Sequence, residues 1–147
     1  MRTSFEFEGL SDLLPDIDEV GVAMAEAAGP VLVEETKRAV QSVVEHDGDS
    51  ELVNSVSMSK ARKGKYGDYI VSAYFKGESK TKTYRHSKNK RGKKHPVSNS
   101  LKAVWKEYGI PSRGIPAQPF MEKAKRAAEG KALEKAQDVF DEKVKTE

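Results

Sequence analysis

The chain has 147 residues, of which 33% are charged and 37% apolar, with no cysteine and a net charge of +3. That length suits one domain over residues 1–147 with a real core, and a charge share above the ~25% of an ordinary domain leaves much surface for solvent or partners. Without Cys there is no disulfide framework or thiolate metal site; no apolar run approaches the ~18 residues of a membrane span, and the opening Met-Arg-Thr-Ser-Phe-Glu-Phe-Glu has no secretory core, so a product kept in a cytoplasm, with no membrane partner, is expected.

The distribution of charge says more than its sum. Residues 1–59 hold 3 basic and 13 acidic side chains, residues 60–97 hold 13 and 2, and residues 98–147 hold 10 and 8. A chain so polarised offers one acidic and one basic face, which suits nucleic acid or another copy of itself.

In chain order, Phe5 and Phe7 alternate with Glu6 and Glu8, the period-two pattern of a strand from Ser4 to Glu8 with one buried face. Ser11-Asp12 can cap a short turn through Leu13 and Leu14. From Val20 to about Glu45, Met24, Ala28, Leu32, Ala39 and Val43 recur at helical spacing with Thr36 breaking the row, which predicts a long helix. Gly29-Pro30 lies inside it, and an interior proline costs about 3 kcal/mol, so a kink or two helices end to end is expected. Glu45 to Glu51 groups acids around Gly48 but lacks the register of a calcium loop, and reads as a helix end, with His46 near the negative end of the dipole and Asp49 or Ser50 capping the next turn. Val56 to Lys60 and Tyr69 to Phe75, joined through the Gly-containing turn at 63–68, read as an antiparallel hairpin.

Residues 76–97 form a basic extended loop or hairpin arm. Gly77 to Pro96, GESKTKTYRHSKNKRGKKHP, has eight Lys or Arg against one Glu, with no period beyond a possible strand at Thr81 to Arg85. It cannot fold on its own burial, so it is expected to be mobile in a free subunit. Arg85, Lys88, Lys90, Arg91, Lys93 and Lys94 are the candidate interface residues. Three readings stand: docking onto an acidic partner or neighbouring subunit, phosphate neutralisation with Tyr84 and His86 stacking on bases, or a solvated linker.

Leu101 to Phe120, LKAVWKEYGIPSRGIPAQPF, holds the only Trp and three of the six prolines. Ser98 or Ser100 can cap a helix in which Ala103, Val104, Trp105 and Tyr108 recur, and Gly109-Ile110-Pro111 ends it. Pro116 and Pro119 stiffen the loop that follows, Pro119 stands at the first turn of the next helix, and Phe120 opens the last apolar stripe. We term Trp105, Tyr108, Gly109, Pro116, Pro119 and Phe120 the elbow. From Phe120 to Val144 the stripe runs through Ala124, Ala127 or Ala128, Leu133, Ala136 and Phe140, with small residues that allow close approach of a helix.

Glu107-Tyr108-Gly109, followed by a short polar spacer and the Ile115-Pro116-Ala117-Gln118-Pro119-Phe120 box opening a C-terminal amphipathic helix, resembles the head-tail joining (tail-completion, minor tail or neck) proteins of tailed bacteriophages. Phe5 to Leu10 and Gly48 to Val56 extend the resemblance more loosely; Gln118 stands where that family commonly has a basic residue, and Ile110 where it has Thr or Ser. The resemblance implies a structural virion protein, made in the host cytoplasm and located at the neck or tail top. It implies a homo-oligomeric ring around the DNA channel, a hexamer following the tail's six-fold symmetry, beside head-adaptor and tail-terminator or tail-tube proteins. The competing class is a nucleic-acid-binding protein using the 77–96 arm. An enzyme finds little support: His46, His86 and His95 fall in predicted loops or at a helix end, no nucleophile triad, phosphate loop or zinc spacing is present, and no catalytic residue, metal or cofactor is assigned.

The fold class expected is α+β: a small antiparallel sheet from the Phe5, Val56 and Tyr69 strands, joined by the Tyr84 segment if it is a strand, packed against a long N-terminal helix and a C-terminal helix, with the long basic loop.

Overall fold

The computed structural model describes residues 2–7, 16–44, 50–85 and 94–145. It is α+β, with β1 (Arg2–Phe7), α1 (Ile17–Val44), α2 (Ser50–Asn54), β2 (Val56–Met58), β3 (Arg62–Lys63), β4 (Tyr69–Phe75), β5 (Glu78–Arg85), β6 (Lys94–Ser98), α3 (Asn99–Tyr108), a 3-10 turn (Pro111–Arg113) and α4 (Met121–Lys145) in order. The Ser11-Asp12 cap and the Glu45 to Asp49 acids lie outside the described residues, and Ser50 and Glu51 begin α2.

β4 is the central strand. Its run of β-branched and aromatic residues suits a pleat buried on one face, and Tyr69, Val71, Ala73 and Phe75 all point into the core. β1 pairs antiparallel along its whole length, from Arg2 opposite Tyr74 to Phe7 opposite Tyr69. β2 and the two-residue β3 share the other edge. The Tyr84 segment does not join this sheet: β5 pairs with β6 as a separate two-stranded ribbon, shifted in register between Glu78 and Thr83. The arm is therefore a hairpin with a strand on each side of its tip, and His95, expected in a loop, lies in β6 opposite Tyr84.

α1 covers the buried face of the sheet. Leu32, Ala39, Val40 and Val44 meet Ala73 and Phe75 of β4, Leu52 of α2, Val56 of β2 and Ala103 of α3. Full burial of such Leu and Val side chains contributes about 1.5–3 kcal/mol each. A second cluster, Ala25 with Tyr69 and Val71, closes the other end. Thr36, which interrupts the apolar row in sequence, is buried within it because its hydroxyl donates to the Leu32 carbonyl at 2.7 Å. The helix also runs through Gly29-Pro30 as one element instead of dividing there. Pro30 is exposed, so the carbonyl freed by its missing N–H lies on the solvent side, where water can satisfy it.

α4 lies antiparallel along α1, with Lys131 on Glu35 at 2.8 Å and Lys143 near Glu19 at 3.7 Å. It meets the sheet where it begins, through Phe120 edge-on to Phe75. Its buried stripe steps by four: Ala124, Ala128, Ala132, Ala136. Of the alternatives Ala127 and Ala128, Ala128 lies inside, whereas Leu133, also read as a stripe position, faces solvent with 58% of its surface exposed. Alanine fits this seam because Leu32 and Ala39 of α1 lie in one buried cluster with Ala124 and Ala128. No helix among the described residues is long and apolar enough to cross a membrane.

Candidate functional site

The elbow is a clasp. Ser98 caps α3, its hydroxyl accepting from the Leu101 N–H at 3.1 Å, and the Gly109 N–H closes the helix on the Trp105 carbonyl at 2.9 Å. Gly109 has φ 72° and ψ −175°, a region open essentially to glycine alone, and a Cβ there would stand 2.5 Å from the Ile115 carbonyl oxygen. Ile110 and Ile115 exchange backbone hydrogen bonds at 2.9 and 3.1 Å around the Pro111–Arg113 turn, and Gln118 N–H donates to the Lys106 carbonyl at 2.7 Å. Glu107 of α3 then caps α4: its Oε2 accepts from the Phe120 and Met121 N–H groups at 2.8 and 3.1 Å. A carboxylate on these orphan donors also complements the positive end of the helix dipole. This is why α4 begins at Met121, two residues after Pro119, which was expected within the first turn.

Phe120 is buried at 1% exposure, as its place at the head of the stripe predicts. Trp105 is only half-buried and Tyr108 is 68% exposed; the inward face of α3 is instead Asn99, Lys102 and Ala103. Residues 111–119, with Pro116 and Pro119, are all exposed. The elbow thus presents a stiff outer surface held by a buried hinge.

The arm is rooted at the same end of the molecule. Asn99 N–H donates to the Gly77 carbonyl at 2.9 Å, and its side-chain amide to the Lys76 carbonyl at 2.9 Å. The Glu51 carboxylate gathers three elements: it accepts from the Lys80 N–H at 2.9 Å and the Ser79 hydroxyl at 3.2 Å, and pairs with the buried Lys102 ammonium at 3.5 Å. The Lys80 N–H foremost, then the Lys102 charge and the Ser79 hydroxyl, hold Glu51 below the usual carboxylate range against the opposing effect of burial. Beside it lies an open groove of about 560 Å³ lined by Ser50, Asn54, Lys76, Lys80 and Asn99, whose buried Oδ1 has no hydrogen-bond partner. Of the arm's candidate residues, Arg85 and Lys94 stand opposite each other as the outermost pair of the ribbon. Lys88, Lys90, Arg91 and Lys93, with His86, lie outside the described residues.

The charge split of the sequence is partly closed within the subunit. Asp18 takes Lys63, Glu34 and Glu35 take Arg38, Glu35 also takes Lys131, and Glu51 takes Lys102. Among the described residues, exposed Asp16 just before α1 and exposed Glu26 within it make no ion pair. Comparison with protein-family models, curated proteins and solved structures finds no match to this chain.

Sequence reasoning missed two carboxylates, Glu51 and Glu107, because each acts across a long chain separation on backbone N–H groups that no spacing rule reveals. It also read residues 63–68 only as a turn after the Val56 to Lys60 strand, although four cations and a tyrosine within Lys60 to Tyr66 were legible there.

Proposed function

We propose that this protein is a structural subunit of a homo-oligomeric ring, the head-tail joining or tail-completion component at the neck or tail top of a tailed bacteriophage, with hexameric symmetry around the DNA channel. The observation that carries this reading is the β5–β6 ribbon. A two-stranded ribbon outside the main sheet is marginally stable by itself in water, and both of its outer edges are unpaired among the described residues. Glu51 and Asn99 nonetheless fix its root, so it is a positioned element that lacks a cover. In a closed head-to-tail ring each subunit receives on one patch what it offers on another, and a cationic hairpin offered to an acidic neighbouring surface meets that condition.

The elbow supports the reading in a second way. Its outer residues are exposed on a frame that Gly109, Glu107 and Phe120 hold rigid, and rigid exposed surface loses little entropy on assembly. Electron microscopy or mass photometry of the purified chain tests the proposal. Closed particles near six times the 16.3 kDa subunit are expected. A monomer at all concentrations, including with neighbouring neck and tail proteins added, would overturn it.

A further inference from the structure

Two basic hairpins leave β4 from opposite ends. The arm follows Phe75, whereas the turn between β3 and β4 precedes Tyr69, and the seven residues between them span about 23 Å at ~3.3 Å per residue. The second turn is short and firmly seated. Gly64 N–H donates to the Asp68 carbonyl at 2.6 Å, and Gly67 takes φ 82°. Lys63 places its ammonium 2.8 and 3.0 Å from the two Asp18 carboxylate oxygens, and the buried Tyr69 hydroxyl donates to the same carboxylate at 2.6 Å, so the turn is tied to the start of α1.

On this seat Lys60, Arg62 and Lys65 are exposed, and their side chains have no acid or hydrogen-bond partner among the described residues. The turn's own acid, Asp68, is buried against Gly64. Tyr66 stands at the tip with 88% of its surface in solvent, and the Lys65 ammonium lies 5.9 Å from its ring centroid. Folding uses none of these four side chains. Three unpaired cations and one exposed aromatic ring within seven residues of a seated hairpin, the Lys65 ammonium nearest the ring, match what a nucleic-acid strand requires: charge for phosphates and a flat face for a base. An acidic protein surface would meet the charges but offers no base for the ring to stack on.

We propose that the β3–β4 hairpin with the residues leading into it, Lys60 to Tyr66, binds nucleic acid, Lys60, Arg62 and Lys65 taking phosphates of one strand and Tyr66 stacking on an unpaired base. The assignment is independent of ring formation, since a single subunit presents the whole turn. It also differs from a nucleic-acid role for the arm, which lies at the other end of β4.

Fluorescence anisotropy of the intact chain with a labelled oligothymidylate and a labelled duplex of equal length, across a salt series, tests it. The triple variant Lys60→Glu, Arg62→Glu, Lys65→Glu should weaken binding to both probes about tenfold or more and flatten the salt slope by roughly two to three phosphate contacts. Lys63 is left in place because it bonds Asp18. Tyr66→Ala should lose on the order of tenfold on the single strand and little on the duplex. A charge-matched control on the exposed face of α4, Lys123→Glu, Lys125→Glu, Lys135→Glu, should stay within about threefold, and circular dichroism should show every variant folded. Equal weakening by the turn variant and the control, wild-type affinity in the turn variant, or no binding by the wild-type chain would each overturn the proposal.

Discussion

Phe120 and Gly109 hold the elbow by different means, and each gives a measurable consequence. Phe120 is buried and packs edge-on to Phe75, ring centroids 6.0 Å apart, so Phe120→Ala should cost about 3–5 kcal/mol in a denaturant titration. A midpoint equal to wild type would mean the ring contributes nothing to the core. Gly109→Ala meets both a forbidden dihedral region and the Ile115 carbonyl, and should cost about 2–4 kcal/mol by the same measurement. These two residues were legible in the sequence because their constraints are local: a glycine that ends a helix, and a large apolar residue heading a stripe. Trp105 and Tyr108 were not, since which side of α3 turns inward depends on Glu51 and Lys76, the distant partners that draw Lys102 and Asn99 under cover.

At the scale of elements, the seams between helices and sheet are set by what is small. Gly21 of α1 lies against the buried Tyr69 ring, and a methyl group there would collide with its Cε2, Cδ2 and Cζ. The ring cannot swing away without losing its bond to Asp18, so Gly21→Ala should lower stability by about 1–3 kcal/mol through overpacking; an unchanged melting temperature would contradict this. Burial first, and then the neighbouring Asp18, push the Tyr69 hydroxyl up to about 12, which keeps it a neutral donor through the physiological range.

The α1–α4 seam carries the pH dependence. Glu35 is buried and its carboxyl is held below the usual range, first by the hydrogen bond from Lys131 and then by the Lys131 and Arg38 charges. A carboxyl lowered in the folded state stabilises fully above its unfolded value, near pH 4.3, and that contribution is lost as pH falls through the folded value. Wild type should therefore exceed Glu35→Gln by about 1–2 kcal/mol at neutral pH, and the gap should close on acidification. A gap constant with pH would assign the difference to packing. The seam itself was only partly readable. Periodicity gave both long helices, but a four-residue alanine step drifts slowly around a helix, and only the position of α1 decides that Ala132 and not Leu133 lies inside.

For the whole molecule, the acids of the first 59 residues are partly answered once the chain is folded, by Lys63 of the basic 60–97 segment and by Lys102, Lys131 and Lys143 of the last third. What remains is divided between two hairpins at opposite ends of β4. The arm reads in sequence as an extended loop or hairpin with one possible strand at Thr81 to Arg85, because its composition lacks apolar groups; pairing of β5 with β6 and the Glu51 anchor supply from tertiary context what composition does not. Exposed ion pairs are worth only ~0–1 kcal/mol each, so docking of the arm must draw on many together and weaken with salt.

The most direct test reverses Lys88, Arg91, Lys93 and Lys94 to Glu and follows assembly by sedimentation velocity at low and high salt. The ring reading predicts a folded subunit that assembles slowly or not at all, while wild type forms a discrete oligomer that loosens as salt rises. A reversed protein that assembles like wild type and loses only nucleic-acid affinity would contradict the docking role and give the arm to nucleic acid instead.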